Sequence, residues 1–214
     1  MIFKKIFNSF FYNEKYCYFC KENISQKNYI CKDCTDKLKI YQNQNLNDYD
    51  ENSYKKDILF YYSGIIKEKI REFKFKDGLY LQKPFGRLIF EFLDKNLLEE
   101  IDFISYVPST SKKLRKRGYN QSKLLAKEVC KYSSKKLFEG IYKIKDTQDQ
   151  HFLSLEKRSI NLKNSFLVKE DLKGKKILLI DDIHTSGATV DECYKALIAQ
   201  NCEFVWIVCL CGVI

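Results

Sequence analysis

The stretch Ile177-Leu178-Leu179-Ile180-Asp181-Asp182-Ile183-His184-Thr185-Ser186-Gly187-Ala188-Thr189 sets the architecture of the chain. Four apolar residues run into two adjacent carboxylates, a hydroxyl-rich turn with one glycine follows, and an amphipathic segment begins. An uninterrupted aliphatic run fits a parallel strand covered on both faces. The two acids then fall at the carboxyl end of that strand, where open α/β sheets place their ligands. Thr185 to Thr189 offer backbone N–H groups, hydroxyls and a helix N-terminus, a combination suited to a phosphate. The acid pair disfavours a second phosphate, but it accepts hydrogen bonds from a diol or helps to hold a divalent cation. A single ligand with a terminal phosphate and a ribose satisfies both halves.

Working outward, Val190, Cys193, Tyr194, Leu197 and Ile198 mark one helix face, and Phe204 to Leu210 reads as a last buried strand. Upstream, Ile58 to Tyr62 and Phe103 to Val107 read as strands, the second stopped by Pro108. Helical spacing runs through Ile65, Ile66, Ile70 and Phe73, and again from about Phe85 to Leu98. A further helix carries Leu124, Leu125 and Val129, with Asn120 or Ser122 as its cap. The polar, weakly periodic region from Ile141 to Phe166 reads as loops and a short helix. Strands alternating with helices predict an α/β fold with a mostly parallel sheet. No internal repeat is visible.

Cys17-x-x-Cys20 and Cys31-x-x-Cys34 stand ten residues apart. Two such knuckles bring four thiolates together tetrahedrally, the pattern of a closed structural zinc site. A redox role needs only one Cys-x-x-Cys. Tyr16, Tyr18, Phe19, Tyr29 and Ile30 are apolar enough for a miniature core around it. Residues 1–40 are therefore expected to form an N-terminal helix and zinc-finger module, and the Asn-rich residues 41–57 a polar linker. The remaining cysteines, Cys130, Cys193, Cys202, Cys209 and Cys211, read as small buried hydrophobes in a reducing, cytoplasmic setting. The basic, aromatic first eleven residues lack the h-region of a signal peptide, and no apolar run approaches the roughly 20 residues of a membrane span.

Of the net charge of +10, nearly all lies between Ser111 and Lys136, where ten Lys and Arg face the single acid Glu128. Such an excess implies a polyanionic partner, either nucleic acid or a phosphorylated substrate, most strongly at Lys112, Lys113, Arg115, Lys116 and Arg117. With Tyr119, and with Phe73 and Phe75 among Arg71, Lys74 and Lys76, this composition suits backbone neutralisation combined with base stacking. A Gly-x-Gly-x-x-Gly dinucleotide turn and a Gly-x-x-x-x-Gly-Lys-Ser/Thr loop are both absent. Neither His151 nor His184 stands in a triad context, and His184 reads as a solvent-facing loop residue.

Residues 177–189 resemble the phosphoribosyl pyrophosphate (PRPP) motif of type I phosphoribosyltransferases. The whole chain resembles the ComF family of competence-associated proteins. That resemblance rests on the four-cysteine knuckle, Arg117-Gly118-Tyr119-Asn120-Gln121, Thr147 with Gln150, Arg158 with Asn161, and the PRPP motif. It implies a type I phosphoribosyltransferase fold over residues 58–214. It implies Asp181 and Asp182 as the catalytic pair on the ribose hydroxyls, directly or through Mg²⁺, and Thr185, Ser186, Gly187, Ala188 and Thr189 on the 5′-phosphate. Ser109, in the loop after Val107-Pro108, and Arg117 would meet the pyrophosphate. The family's usual Pro-Val-Pro is reduced here to Tyr106-Val107-Pro108-Ser109. The resemblance also implies a role in natural transformation, with single-stranded DNA handled on the cytoplasmic side beside competence-machinery proteins such as a helicase. Three readings stay open: transfer of a phosphoribosyl group to an unread acceptor, a non-catalytic nucleic-acid module that senses PRPP, and base salvage unrelated to DNA.

Overall fold

A computed structural model describes residues 15–24, 29–41, 54–75, 78–145 and 162–213. The elements in chain order are α1 (Lys32–Asp36), β1 (Tyr54–Tyr61), α2 (Gly64–Phe75), a 3₁₀ turn (Gly78–Leu81), α3 (Gln82–Phe92), α4 (Lys95–Glu100), β2 (Phe103–Tyr106), α5 (Ser111–Arg117), α6 (Gln121–Ser133), β3 (Lys136–Leu137), β4 (Ile141–Lys143), β5 (Phe166–Val168), β6 (Lys176–His184), α7 (Ala188–Ile198) and β7 (Phe204–Gly212). The main sheet has the order β1-β7-β6-β2-β3 and every neighbouring pair is parallel. β4 and β5 form a separate antiparallel pair. The described strands and helices form the mostly parallel α/β sheet that the sequence predicts, preceded by a small four-cysteine module of the kind that binds zinc.

β6 shows why its sequence is apolar without alternation. Leu178 and Ile180 enter one hydrophobic cluster with Ile70, Phe73, Phe85, Ile89 and Leu125 from helices on one side of the sheet. Ile177 and Leu179 enter a second cluster with Cys193 and Leu197 of α7 and Val168 of β5 on the other. A strand covered on both faces needs apolar residues at every position. Cys193, Cys202, Cys209 and Cys211 are buried and Cys130 is half-buried.

Several boundaries differ from the sequence reading. β6 does not stop at the acids. It continues through Asp181 and Asp182 to His184, pairing Asp181 with Cys209 and His184 with Gly212 of β7. β1 begins at Tyr54, inside the stretch read as linker, and its charged start is tolerable because an edge strand is paired on one side only. There Asp57 accepts from Trp206 Nε1 at 2.6 Å, Lys55 sits 4.5 Å over the Trp206 ring, and Tyr54 packs edge-on against Tyr194. The chain leaving the knuckle is stitched to β1, with Tyr41 N–H bonded to Leu59 O and Tyr61 N–H to Lys39 O. The helix read from Phe85 to Leu98 is two helices, because Leu93 is extended and Asp94 caps the second by accepting from Leu97 N–H at 2.9 Å. Within the region read as loops and a short helix, β4 and β5 pair across the sheet's second face.

Among the described residues, the knuckle shares the main core rather than building a miniature one. Tyr18 and Phe19 are buried in the main cluster, with Phe19 edge-on to Phe85 at 5.8 Å and Tyr18 against Tyr29 and Tyr80. Tyr16 is exposed. The expected N-terminal helix, Thr147, Gln150, Arg158, Asn161 and His151 lie outside the described residues.

Candidate PRPP site and metal cluster

At the carboxyl end of the sheet, β6, the loop after β2, α5, the start of α6 and the start of α7 converge on one cavity of about 150 Å³. Asp181 and Asp182 form its floor and are both 8% exposed. Asp181 Oδ1 accepts from Ser122 Oγ at 2.7 Å and from Asp182 N–H at 2.9 Å. Burial, reinforced by the Asp182 carboxylate, holds the Asp181 carboxyl well above the usual carboxylate range. Asp182 Oδ2 lies 2.6 Å from Lys74 Nζ, an ion pair whose side chains are 11% and 15% exposed.

The loop after β2 is fixed from both sides. Val107 N–H bonds to Ile180 O of β6, and Asn120 Nδ2 donates to Val107 O at 3.0 Å. Asn120 Oδ1 caps α6 by accepting from Lys123 N–H, so one side chain ties the loop to the helix. Pro108, Ser109 and Thr110 then border the cavity, and Thr110 caps α5 by accepting from Lys113 N–H. The basic run is thus a short helix. It ends at Gly118 in the left-handed conformation.

The helix splits the basic cluster. Lys113 and Arg117, four residues apart, line the cavity, while Lys112, Arg115 and Lys116 are exposed. Arg117 Nη1 donates to Gln121 Oε1 at 2.9 Å, and its guanidinium lies 5.1 Å from the ring centroid of Phe75. Tyr119 packs on Phe73 with ring centroids 5.9 Å apart and donates its hydroxyl to Phe73 O at 2.6 Å. Phe73 itself is fully buried, so it cannot stack on a base, and its neighbour Tyr119 is spent holding α2 to the turn before α6. Phe75 is 59% exposed.

On the far wall, Thr185 and Thr189 reach the cavity, Ser186 is half-buried, and Gly187 and Ala188 are buried beneath. Gly187 caps α7 at φ 78°, where a Cβ would meet His184 Nε2 at 3.0 Å and Asp191 Oδ2 at 3.2 Å. His184 is therefore part of the packing under this loop and not a solvent-facing residue. Its Nε2 is buried without a hydrogen-bond partner among the described residues, and burial, then Lys56, lowers its pKa to about 4. Lys74, Ser122 and Lys143 of β4 also border the cavity and were not singled out as ligands from the sequence. Ser122 follows Asn120-Gln121 directly and was weighed only as a cap. Lys74 and Lys143 carry no local motif.

The second candidate site is the knuckle. The Sγ atoms of Cys17, Cys20, Cys31 and Cys34 all lie within 4.8 Å of one another, with Cys20 and Cys31 at 3.6 Å. A tetrahedron of Zn–S bonds of about 2.3 Å has edges of about 3.8 Å, so the cluster fits a metal ion of that size. Burial opposes ionisation of Cys17, yet backbone N–H groups, including those of Cys31 and Phe19, outweigh it and bring the thiol down to about 7. Burial pushes the Cys34 thiol up.

The family model of the phosphoribosyl transferase domain matches residues 116–213. Competence protein F of Haemophilus influenzae is 27% identical over 191 residues, covering 85% of this chain and 83% of its own. Competence protein ComFC of Streptococcus pneumoniae is 30% identical over 142 residues, covering 65% and 60%. The domain match and these relatives support a place for the chain in the ComF family. DNA utilization protein YhgH of Escherichia coli K12 is 34% identical over 115 residues, a match spanning 51% of this chain and about half, 49%, of that relative. The domain match takes in the acid pair, the loop Thr185 to Thr189 and Ser122. It leaves the knuckle, Lys74 and the loop after β2 outside. No helix among the described residues is long and apolar enough to cross a membrane.

Proposed function

We propose that the chain binds PRPP with Mg²⁺ in the sheet-end cavity and acts in DNA uptake, handling incoming single-stranded DNA on the cytoplasmic side. The observation that carries the first half is convergence: a buried acid pair, two threonines at the start of a helix, and Lys113 with Arg117 border one cavity. Asp181 and Asp182 would hold the ribose hydroxyls or the hydrated cation, Thr185 to Thr189 the 5′-phosphate, and Ser109, Lys113 and Arg117 the pyrophosphate. When bound there, Mg²⁺ would neutralise charge on the leaving group. In transfer, the bond from ribose C1 to the pyrophosphate oxygen breaks as a bond from C1 to the acceptor forms. Lys113 and Arg117 stand where negative charge accumulates on the departing group.

The second half is supported by the names of the relatives, a DNA utilization protein and a competence protein, and by Lys112, Arg115 and Lys116, which are exposed while Lys113 and Arg117 line the cavity. A polyanion fits there independently of PRPP, in a reading where the cavity senses PRPP without turnover. The four cysteines would hold a structural Zn²⁺, since all four positions of a tetrahedron are filled by protein thiolates. Competence-machinery proteins such as a helicase are the expected partners.

Calorimetry with PRPP and MgCl₂ tests the cavity. Asp181→Asn with Asp182→Asn is expected to weaken binding at least tenfold while leaving the fold intact, because the substitution removes charge but little volume. Unchanged affinity in a folded double variant would falsify this site.

A further inference from the structure

Lys74 stands at the end of α2, more than a hundred residues before its partner Asp182 and outside the matched transferase domain. Three observations set its role. Its Nζ lies 2.6 Å from Asp182 Oδ2, so it covers a carboxylate oxygen that a ribose diol or a cation would need. Its side chain lines the same cavity as Lys113, Arg117 and Lys143, so its charge can reach another anion without leaving the cleft. Its backbone is held, because the preceding residue Phe73 is fully buried and its carbonyl accepts from Tyr119 Oη at 2.6 Å.

Two adjacent buried carboxylates need a compensating cation whether or not ligand is present. Ser122 and a backbone N–H serve Asp181. Among the described residues, Asp182 pairs with Lys74. A lysine ammonium is a compact charge on a four-carbon stem and can change partners by side-chain rotation alone.

Building on the PRPP reading, we propose that Lys74 is a partner-exchanging ligand residue: it neutralises Asp182 in the empty cleft and turns onto the pyrophosphate group when Mg²⁺ and the ribose take the carboxylate. Asp182 is thereby never left uncompensated, and the positive charge that held the empty site together becomes part of the site for the leaving group. The exchange makes opposite demands on two probes. Mg²⁺ alone competes with Lys74 for Asp182, whereas pyrophosphate recruits it.

The test is calorimetry of wild type, Lys74→Gln and Lys74→Arg with MgCl₂ alone, and with pyrophosphate in the presence of MgCl₂, with thermal denaturation of each variant as the check on folding. The expected result for Lys74→Gln is tighter binding of MgCl₂ alone, by about threefold or more, together with pyrophosphate binding at least tenfold weaker. Lys74→Arg should recover most of the pyrophosphate affinity. A lysine that is only a structural partner of Asp182 gives parallel losses for both probes and a lower melting temperature in Lys74→Gln, and that result overturns the proposal. Pyrophosphate affinity within twofold of wild type in Lys74→Gln also overturns it. A wild-type chain that binds neither PRPP nor pyrophosphate with MgCl₂ sinks the PRPP reading itself, a separate outcome from failure of the exchange.

Discussion

The cysteine knuckle and the sheet-end cleft are both built to hold charge, but they are assembled on different scales. The four thiols come from residues 17 to 34 and close on themselves within one short segment. The cleft draws Lys74 from α2, Ser122 from α6, Lys143 from β4 and the acids from β6, so its parts meet only when the sheet and both helix layers are in place. The knuckle is nevertheless less autonomous than its compact spacing suggests. Tyr18 and Phe19 are buried among the side chains of the main domain, and Lys21 Nζ donates to Tyr80 Oη at 3.0 Å, which in turn donates to Glu72 of α2. A locally closed site can thus be a structural part of the whole core, while a dispersed site can lose ligands without unfolding anything.

That contrast yields graded predictions. On the proposed zinc reading, a chelator under reducing conditions should have the largest effect, lowering the melting temperature of the whole chain by about 10 °C or more, since metal-binding energy is folding energy. A metal-free chain that melts as before breaks the comparison. Phe19→Ala comes next. If the knuckle shares the main core, it costs about 3–4 kcal/mol in denaturant titration. A cycle with Phe85→Ala should also show coupling of about 1 kcal/mol, because the two rings meet edge-on at 5.8 Å. Loss confined to the knuckle, with the domain's unfolding midpoint unchanged, would restore the picture of a separate module.

Gly187→Ala sharpens the cleft side. The residue sits at φ 78° with two polar side chains against the space a Cβ would fill, so the substitution should cost about 1–3 kcal/mol. It should also weaken binding of inorganic phosphate at the start of α7. The smallest effect on stability belongs to Lys112→Gln, Arg115→Gln and Lys116→Gln together, within about 0.5 kcal/mol for exposed positions. Their effect should instead be on oligonucleotide binding, reducing the salt slope for a single strand by about 2. A wild-type slope in the triple variant moves the DNA surface elsewhere.

Patterns that repeat along the chain were the legible ones. The aliphatic run of β6 announced a strand covered on both faces, the paired Cys-x-x-Cys announced a four-thiol cluster, and Asn120 was readable as a cap. The strand at Ile58 was legible, but its charged start from Tyr54 to Asp57 was read as linker, because an edge position relaxes the apolar requirement that those residues fail. His184 was misplaced because β6 continues past its apolar run, pairing with β7 through the acids, and a register of that kind is not written in one strand. Phe73 and Phe75 looked alike in composition, and the helix phase of α2 sends one into the core and leaves the other exposed.

By itself the sequence determined the fold class, the acid pair with the hydroxyl-rich turn beside it, and the cysteine set, because each depends on short-range spacing or on burial periodicity. Only the tertiary structure decided that α5 divides its five cations between the cavity and the outer surface. Only it decided that the knuckle is rooted in the main core, and that Lys74 faces Asp182. Those facts depend on which elements pack together across more than a hundred residues, and no local pattern records the side of a helix that a distant strand will meet.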